Sequence, residues 1–208
     1  MSPPIPHLRA AVILHGHGGS PGSYAHIADA LAAATGLEVT LPPGPVRVTP
    51  EGERSAHESG ARAWWDDPDE GPGPEAVEVV RDAVHAAGRG EDASVVLVGF
   101  SQGAAMATVV AHLAPVGAVV LIAGFLPEPR PDAPLDVALL SIHDDDDEIV
   151  DAMHTTMAVR WMARWGAVAT RHAHGGGHAW TPAVTAAIAD WLREQADPRS
   201  FGAPAVRR

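Results

Sequence analysis

The chain has 208 residues, of which 46% are apolar; that is the length of one domain with enough apolar material for a full core. Fourteen Lys and Arg against 26 Asp and Glu give a formal charge of −12, which disfavours a nucleic-acid backbone or an anionic membrane as partner. The absence of cysteine excludes disulfides, thiolate metal sites and a cysteine nucleophile.

In chain order, the proline-broken start (residues 1–7) lacks the basic and apolar regions of a signal peptide, and no apolar run reaches the length of a membrane span. A cytoplasmic location is therefore expected, with no stable membrane insertion. The first candidate strand, 11–14, is continuously apolar and runs into His15-Gly16-His17-Gly18-Gly19-Ser20. A helix is expected over 24–35 and a strand over 38–41. Residues 42–74 then form a long stretch rich in Pro, Gly and acidic residues, carrying Trp64-Trp65-Asp66; a loop that long inside a compact domain is usually functional or disordered. Next come a helix over 75–87, a strand over 94–98, a helix over 102–113, strands over 118–122 and 137–142, a helix over 151–165, a strand over 168–172 and a helix over 182–195. The tail, 197–208, is read as frayed, which leaves residues 1–196 as one domain. Continuously apolar short runs alternating with Ala-rich helical patterns imply an α/β fold with a mostly parallel central sheet of about six strands and helices on both faces.

The junction of the 94–98 strand and the following helix reads Gly99-Phe100-Ser101-Gln102-Gly103. This G-x-S-x-G pattern, between an apolar strand and a small-residue helix, is the nucleophile elbow of an α/β hydrolase. The two glycines let strand and helix approach, and the serine hydroxyl projects at a helix N-terminus, where N–H groups and the dipole favour a developing oxyanion. Ser101 is the candidate nucleophile. The glycine-rich turn after the first strand is placed to supply a second oxyanion donor, so the candidate donors are the backbone N–H groups of His17 and Gln102. Two other readings of that turn compete: a phosphate cradle, for which neither G-x-G-x-x-G nor a Walker lysine is present, and a plain βα turn with no catalytic duty.

A serine nucleophile needs a base, and the base an acid that fixes its tautomer, in the chain order Ser, Asp or Glu, His. His178 follows Gly175-Gly176-Gly177 just before a helix, on a loop free to reach the serine. His172 and His174 are rivals, read as surface residues. The acid lies in the run Asp144-Asp145-Asp146-Asp147-Glu148, where pattern leaves the choice open; most of these carboxylates read as a helix N-terminus favoured by the dipole.

Taken together, His15-Gly16-His17-Gly18-Gly19, Trp64-Trp65-Asp66, Gly99-Phe100-Ser101-Gln102-Gly103, the segment 143–150 and Gly177-His178 resemble the carboxylesterase and acyl-protein thioesterase (phospholipase/carboxylesterase) family of α/β hydrolases. The resemblance implies an acid loop of the form H-G-x-x-D-x-x-V, which selects Asp147 over Asp145 and Asp146. Asp144 departs from it, standing where the family has glycine. The resemblance also implies that Trp64 and Trp65 line an acyl pocket. The family's leading antiparallel strands and a large lid look absent, so the site is expected to be open.

The function these residues imply is hydrolysis of carboxylic esters of short to medium acyl chain, or of thioesters, through Ser101, His178 and Asp147. A lysophospholipase or acyl-thioesterase of the same family is the alternative. The partner is a small-molecule ester or thioester, and no cofactor is called for. Two readings from other classes compete. A metal-binding protein would use His172, His174, His178 and the acidic run, but H-x-H-x-x-x-H is not H-E-x-x-H and three glycines make a poor scaffold. A catalytically silent binding module would keep the fold without the reactive serine.

Overall fold

The computed structural model describes residues 8–49, 60–67, 70–89 and 94–196. The expected N-terminal segment 1–7 and tail 197–208 lie outside the described residues, as do 50–59 of the long loop.

A central sheet of six strands runs in the order β2-β1-β5-β6-β7-β8, with every pairing parallel. Its strands are β1 (Ala10–Leu14), β2 (Glu38–Thr40), β5 (Val95–Phe100), β6 (Ala118–Ile122), β7 (Ala138–His143) and β8 (Val168–Ala173). The helices are α1 (Pro21–Thr35), α2 (Pro74–Gly88), α3 (Gln102–Val110), α4 (Ala152–Arg164) and α5 (Pro182–Ala196).

The two-residue period of a strand separates the core into two layers. Val12 and Leu14 of β1 and Leu97 of β5 meet Val80 and Val84 of α2, Met106 of α3 and Met162 of α4 on one face. Ala11, Ile13, Val96 and Val98 meet Ile27 and Leu31 of α1 and Ile188 and Trp191 of α5 on the other. Cover on both faces explains why β1, β5 and β6 are apolar and buried throughout. β8, an edge strand pairing only with β7, is exposed along its length, which suits its polar Thr170, Arg171 and His172.

Local chemistry sets several boundaries away from those expected. α1 begins at Pro21 because Ser20 caps it: Ser23 N–H donates to Ser20 Oγ (3.1 Å) and Ser20 N–H to Ser23 Oγ (2.9 Å). α3 stops at Val110 rather than 113, since the next turn tightens to three-residue bonds, His112 N–H to Val109 O and Leu113 N–H to Val110 O. β5 runs on through Gly99 and Phe100, so the serine follows the strand directly. The long loop holds an unanticipated antiparallel pair, β3 (Val46–Arg47) and β4 (Arg62–Ala63). The crossover from β6 to β7, residues 123–137, is irregular; Pro127, Pro129, Pro131 and Pro134 forbid a helix there.

The topology selects one place for a site. From β1 the chain steps outward to β2, then returns to the opposite side of β1 to lay down β5. The carboxyl ends of β1 and β5 flank this reversal, where ligands bind in open parallel sheets. His15 and Ser101 emerge there. Among the described residues no helix is long and apolar enough to cross a membrane.

Candidate active site

Ser101 sits between β5 and α3 with φ 54° and ψ −120°, a conformation that is costly for a residue with a Cβ and is held only where the surroundings over-determine it. They do so by close approach. A Cβ at Gly99 would run into Gly103 O and the Ala104 backbone, and one at Gly103 into the carbonyls of Leu14 and His15. Both elbow glycines are therefore required by packing, and α3 abuts the carboxyl end of β1. Ser101 N–H donates to Ile122 O (2.9 Å), fastening the turn to β6.

The loops after β7 and β8 bring two further side chains to the serine. His178 Nε2 lies 3.0 Å from Ser101 Oγ and Nδ1 lies 2.8 Å from Asp147 Oδ2. The carboxylate can only accept, so Nδ1 carries the proton and Nε2 presents its lone pair to the hydroxyl. Phe100 packs against the imidazole, ring centroids 4.8 Å apart. The acidic run divides by burial: Asp144 and Asp147 are buried, whereas Asp145, Asp146 and Glu148 are exposed. Burial pushes the Asp147 carboxyl upward, but the Val150 N–H, His178 and Ile149 N–H hydrogen bonds outweigh it and hold the group below the ordinary carboxylate range. His172 lies exposed on β8, and His174 Nδ1 faces its neighbour Gly175 O; neither approaches the serine as His178 does. Among the described residues no three His, Asp or Glu side chains converge as a metal site would require.

The turn after β1 flanks the serine, with a Cβ at Gly16 falling 3.4 Å from Ser101 Cβ. Its N–H groups are nearly all engaged: Gly16 to Tyr24 Oη (3.1 Å), Gly18 to Arg62 O (2.9 Å) and Gly19 to Gly16 O (3.0 Å). His17 N–H and Gln102 N–H have no acceptor among the described residues. His15 braces the turn. Gly44 N–H donates to its Nε2 (3.1 Å), so Nδ1 is the protonated nitrogen and donates to Gly16 O (2.8 Å). Burial depresses the basicity of this imidazole and keeps it neutral.

A model of the FSH1 serine hydrolase family matches residues 7–184. The chain belongs to the FSH1 serine hydrolase family. No curated protein matches it. Among solved structures, this hydrolase is similar to Arabidopsis thaliana SOBER1 (22% identity, TM-score 0.73, covering 91% of this chain and 100% of that one). It is also similar to a Bacillus cereus carboxylesterase (17%, 0.70, 90% and 89%) and a Mesorhizobium loti carboxylesterase (18%, 0.71, 89% and 88%). At these identities the likeness establishes the α/β-hydrolase fold.

In the hydrolase, Trp64 and Trp65 are both buried. Trp64 stacks on His15 with centroids 4.9 Å apart, and its Nε1–H donates to His15 O (2.9 Å). Both residues border a cavity of about 500 Å³ together with Pro45, Val46 and the 71–73 segment. Ser101 and His178 are not among its walls. The Gln102 side chain ties this wall to the elbow: Trp64 N–H donates to Oε1 (2.9 Å) and Nε2–H donates to Trp65 O (2.8 Å). The structural work of His15, Tyr24, Asp144 and the Gln102 side chain goes beyond what the sequence leads one to expect. The His15-Gly16 pair and the glutamine inside the elbow are visible signals, but their partners lie between 8 and 49 residues away.

Proposed function

We propose that this hydrolase cleaves carboxylic esters or thioesters of small molecules through an acyl-enzyme on Ser101. His178 Nε2 takes the hydroxyl proton as Oγ attacks the carbonyl carbon, and Asp147 stabilises the resulting imidazolium. The N–H groups of His17 and Gln102 receive the oxyanion. Collapse expels the alcohol or thiol, which carries away the proton from His178. Water then attacks the acyl-enzyme, giving its proton to His178, and Ser101 is restored with release of the acid. The observation that carries this reading is the relay of 3.0 Å and 2.8 Å from Ser101 through His178 to Asp147, built on a strained elbow. Trp64 and Trp65, coupled to the elbow through Gln102, are the proposed walls for the acyl group.

A fluorophosphonate probe tests it. Stoichiometric labelling located on Ser101 by peptide mass spectrometry is expected. Failure to label under conditions where the protein is folded would make the chain a silent binding module instead.

A further inference from the structure

We propose that Asp144 is the positioning residue for His178. The inference rests on His178 being the general base, and it concerns what holds that imidazole in place.

The loop carrying His178 has little steric support. A Cβ at Gly175 or Gly177 would meet nothing within 4 Å, and Gly176 and Gly177 hold φ of 134° and 68°. Three successive glycines lose more backbone freedom on ordering than any other residues would, so packing alone leaves this segment weakly fixed. Its root is tied to the sheet by His174 N–H donating to His143 O (2.9 Å). Nearer the imidazole, Gly177 N–H donates to Asp144 Oδ2 (2.6 Å), one residue before His178. The other carboxylate oxygen, Oδ1, accepts the Asp146 N–H (2.9 Å), one residue before Asp147. A single buried carboxylate thus grips the backbone next to the base and the backbone next to its acid, and sets the separation at which Nδ1 meets Asp147. The bonds to the Asp146 and Gly177 N–H groups hold the Asp144 carboxyl below its ordinary range, so the contacts are those of an ionised acceptor, shorter and stronger than neutral ones.

The H-G-x-x-D-x-x-V pattern that the resemblance implies would put glycine at this position, and a glycine has no side chain to make either contact. Nor is Asp144 there to satisfy a left-handed turn: among the described residues the non-glycines at positive φ are Arg89, Ser101 and Ala123. The chemistry of the carboxylate, rather than backbone strain, accounts for the residue.

Asp144→Asn preserves volume but, whichever way the amide is turned, sets an NH2 group against one of the two N–H donors. Per active site counted by the end point of fluorophosphonate titration, kcat for a p-nitrophenyl ester is expected to fall roughly 10- to 100-fold with KM within about threefold, the scale of an ångström-sized misplacement. Asp144→Gly, which removes both acceptors without crowding, is expected to behave alike and stands in if the Asn variant does not fold. The decisive arm is a cycle with His178→Ala. If Asp144 acts through the imidazole, Asp144→Asn costs less than about twofold in that background. Wild-type kcat in both Asp144 variants, or the same fold-loss with and without His178, would overturn the proposal while leaving His178 as the base. Full activity of His178→Ala alone would instead overturn the base assignment, and this inference with it.

Discussion

The elbow and the base loop stand 3.0 Å apart across a hydrogen bond, yet they are held by different physics. At the elbow, Gly99 and Gly103 are jammed against backbone atoms of α3 and of the carboxyl end of β1, so close packing, with the one Ser101 N–H bond to Ile122 O, fixes Ser101. Across the cleft, Gly175 and Gly177 face open space, and position comes from carboxylates that collect backbone N–H groups: Asp144 from Asp146 and Gly177, Asp147 from Ile149 and Val150. A nucleophile that must sit in a strained turn needs a rigid mould. A base that must serve an attacking hydroxyl, a leaving group and a water can sit on a loop, provided polar ties return it to the same place.

The contrast breaks most visibly at glycine. Gly103→Ala drives a methyl into the carbonyls of Leu14 and His15 and is expected to cost several kcal/mol and essentially all activity, read by thermal denaturation and ester turnover. Gly175→Ala, on the open side, should leave stability within about 0.5 kcal/mol. A large loss at Gly175 would mean the base loop is packed as tightly as the elbow.

Next in size is the proposed acid. Asp147→Asn keeps the shape but upsets the tautomer that Nδ1 requires, and kcat is expected to fall by about 10³ or more. Asp145→Asn, on an exposed carboxylate whose nearest partner is His143 at 3.6 Å, should stay within about twofold. The reverse order, measured as kcat under one set of conditions, would move the acid to the other aspartate.

The two sides also respond to acid in different windows. Behind the elbow, burial lowers the His15 pKa, as it does for His112, so near and below pH ~6.5 the unfolded chain binds protons that the folded one resists. Stability therefore falls as pH drops through that range, and His15→Gln should flatten part of the slope. On the base side, Asp144 and Asp147 are held low; their contribution is present above pH ~3.9 and disappears as pH falls through their folded values. Chemical denaturation from pH 8 to 3 reads both. A wild-type curve flat between pH 7 and 5 would contradict the neutral brace at His15.

What is legible in the sequence follows the same division. The elbow was legible because steric necessity writes glycine at fixed local spacing, and strand-helix alternation gave the parallel sheet. The choice of Asp147 as the proposed acid rests on a family resemblance, since five consecutive acids look alike in sequence; burial, a long-range property, separates Asp144 and Asp147 from the exposed three. The β3–β4 pair was invisible because two-residue strands carry no period. The Gln102 amide looked like one more elbow letter, although its partners are Trp64 and Trp65, 38 and 37 residues away. The resemblance implies an acyl-pocket wall for the Trp pair; the cavity it borders has neither Ser101 nor His178 in its lining, and Trp64 in addition braces His15.

The most direct test of the central claim is turnover of a series of p-nitrophenyl esters by Ser101→Ala. Hydrolysis reduced to the background of buffer, with the fold intact by circular dichroism, is the expected result. Undiminished turnover would contradict the assignment of Ser101 as nucleophile.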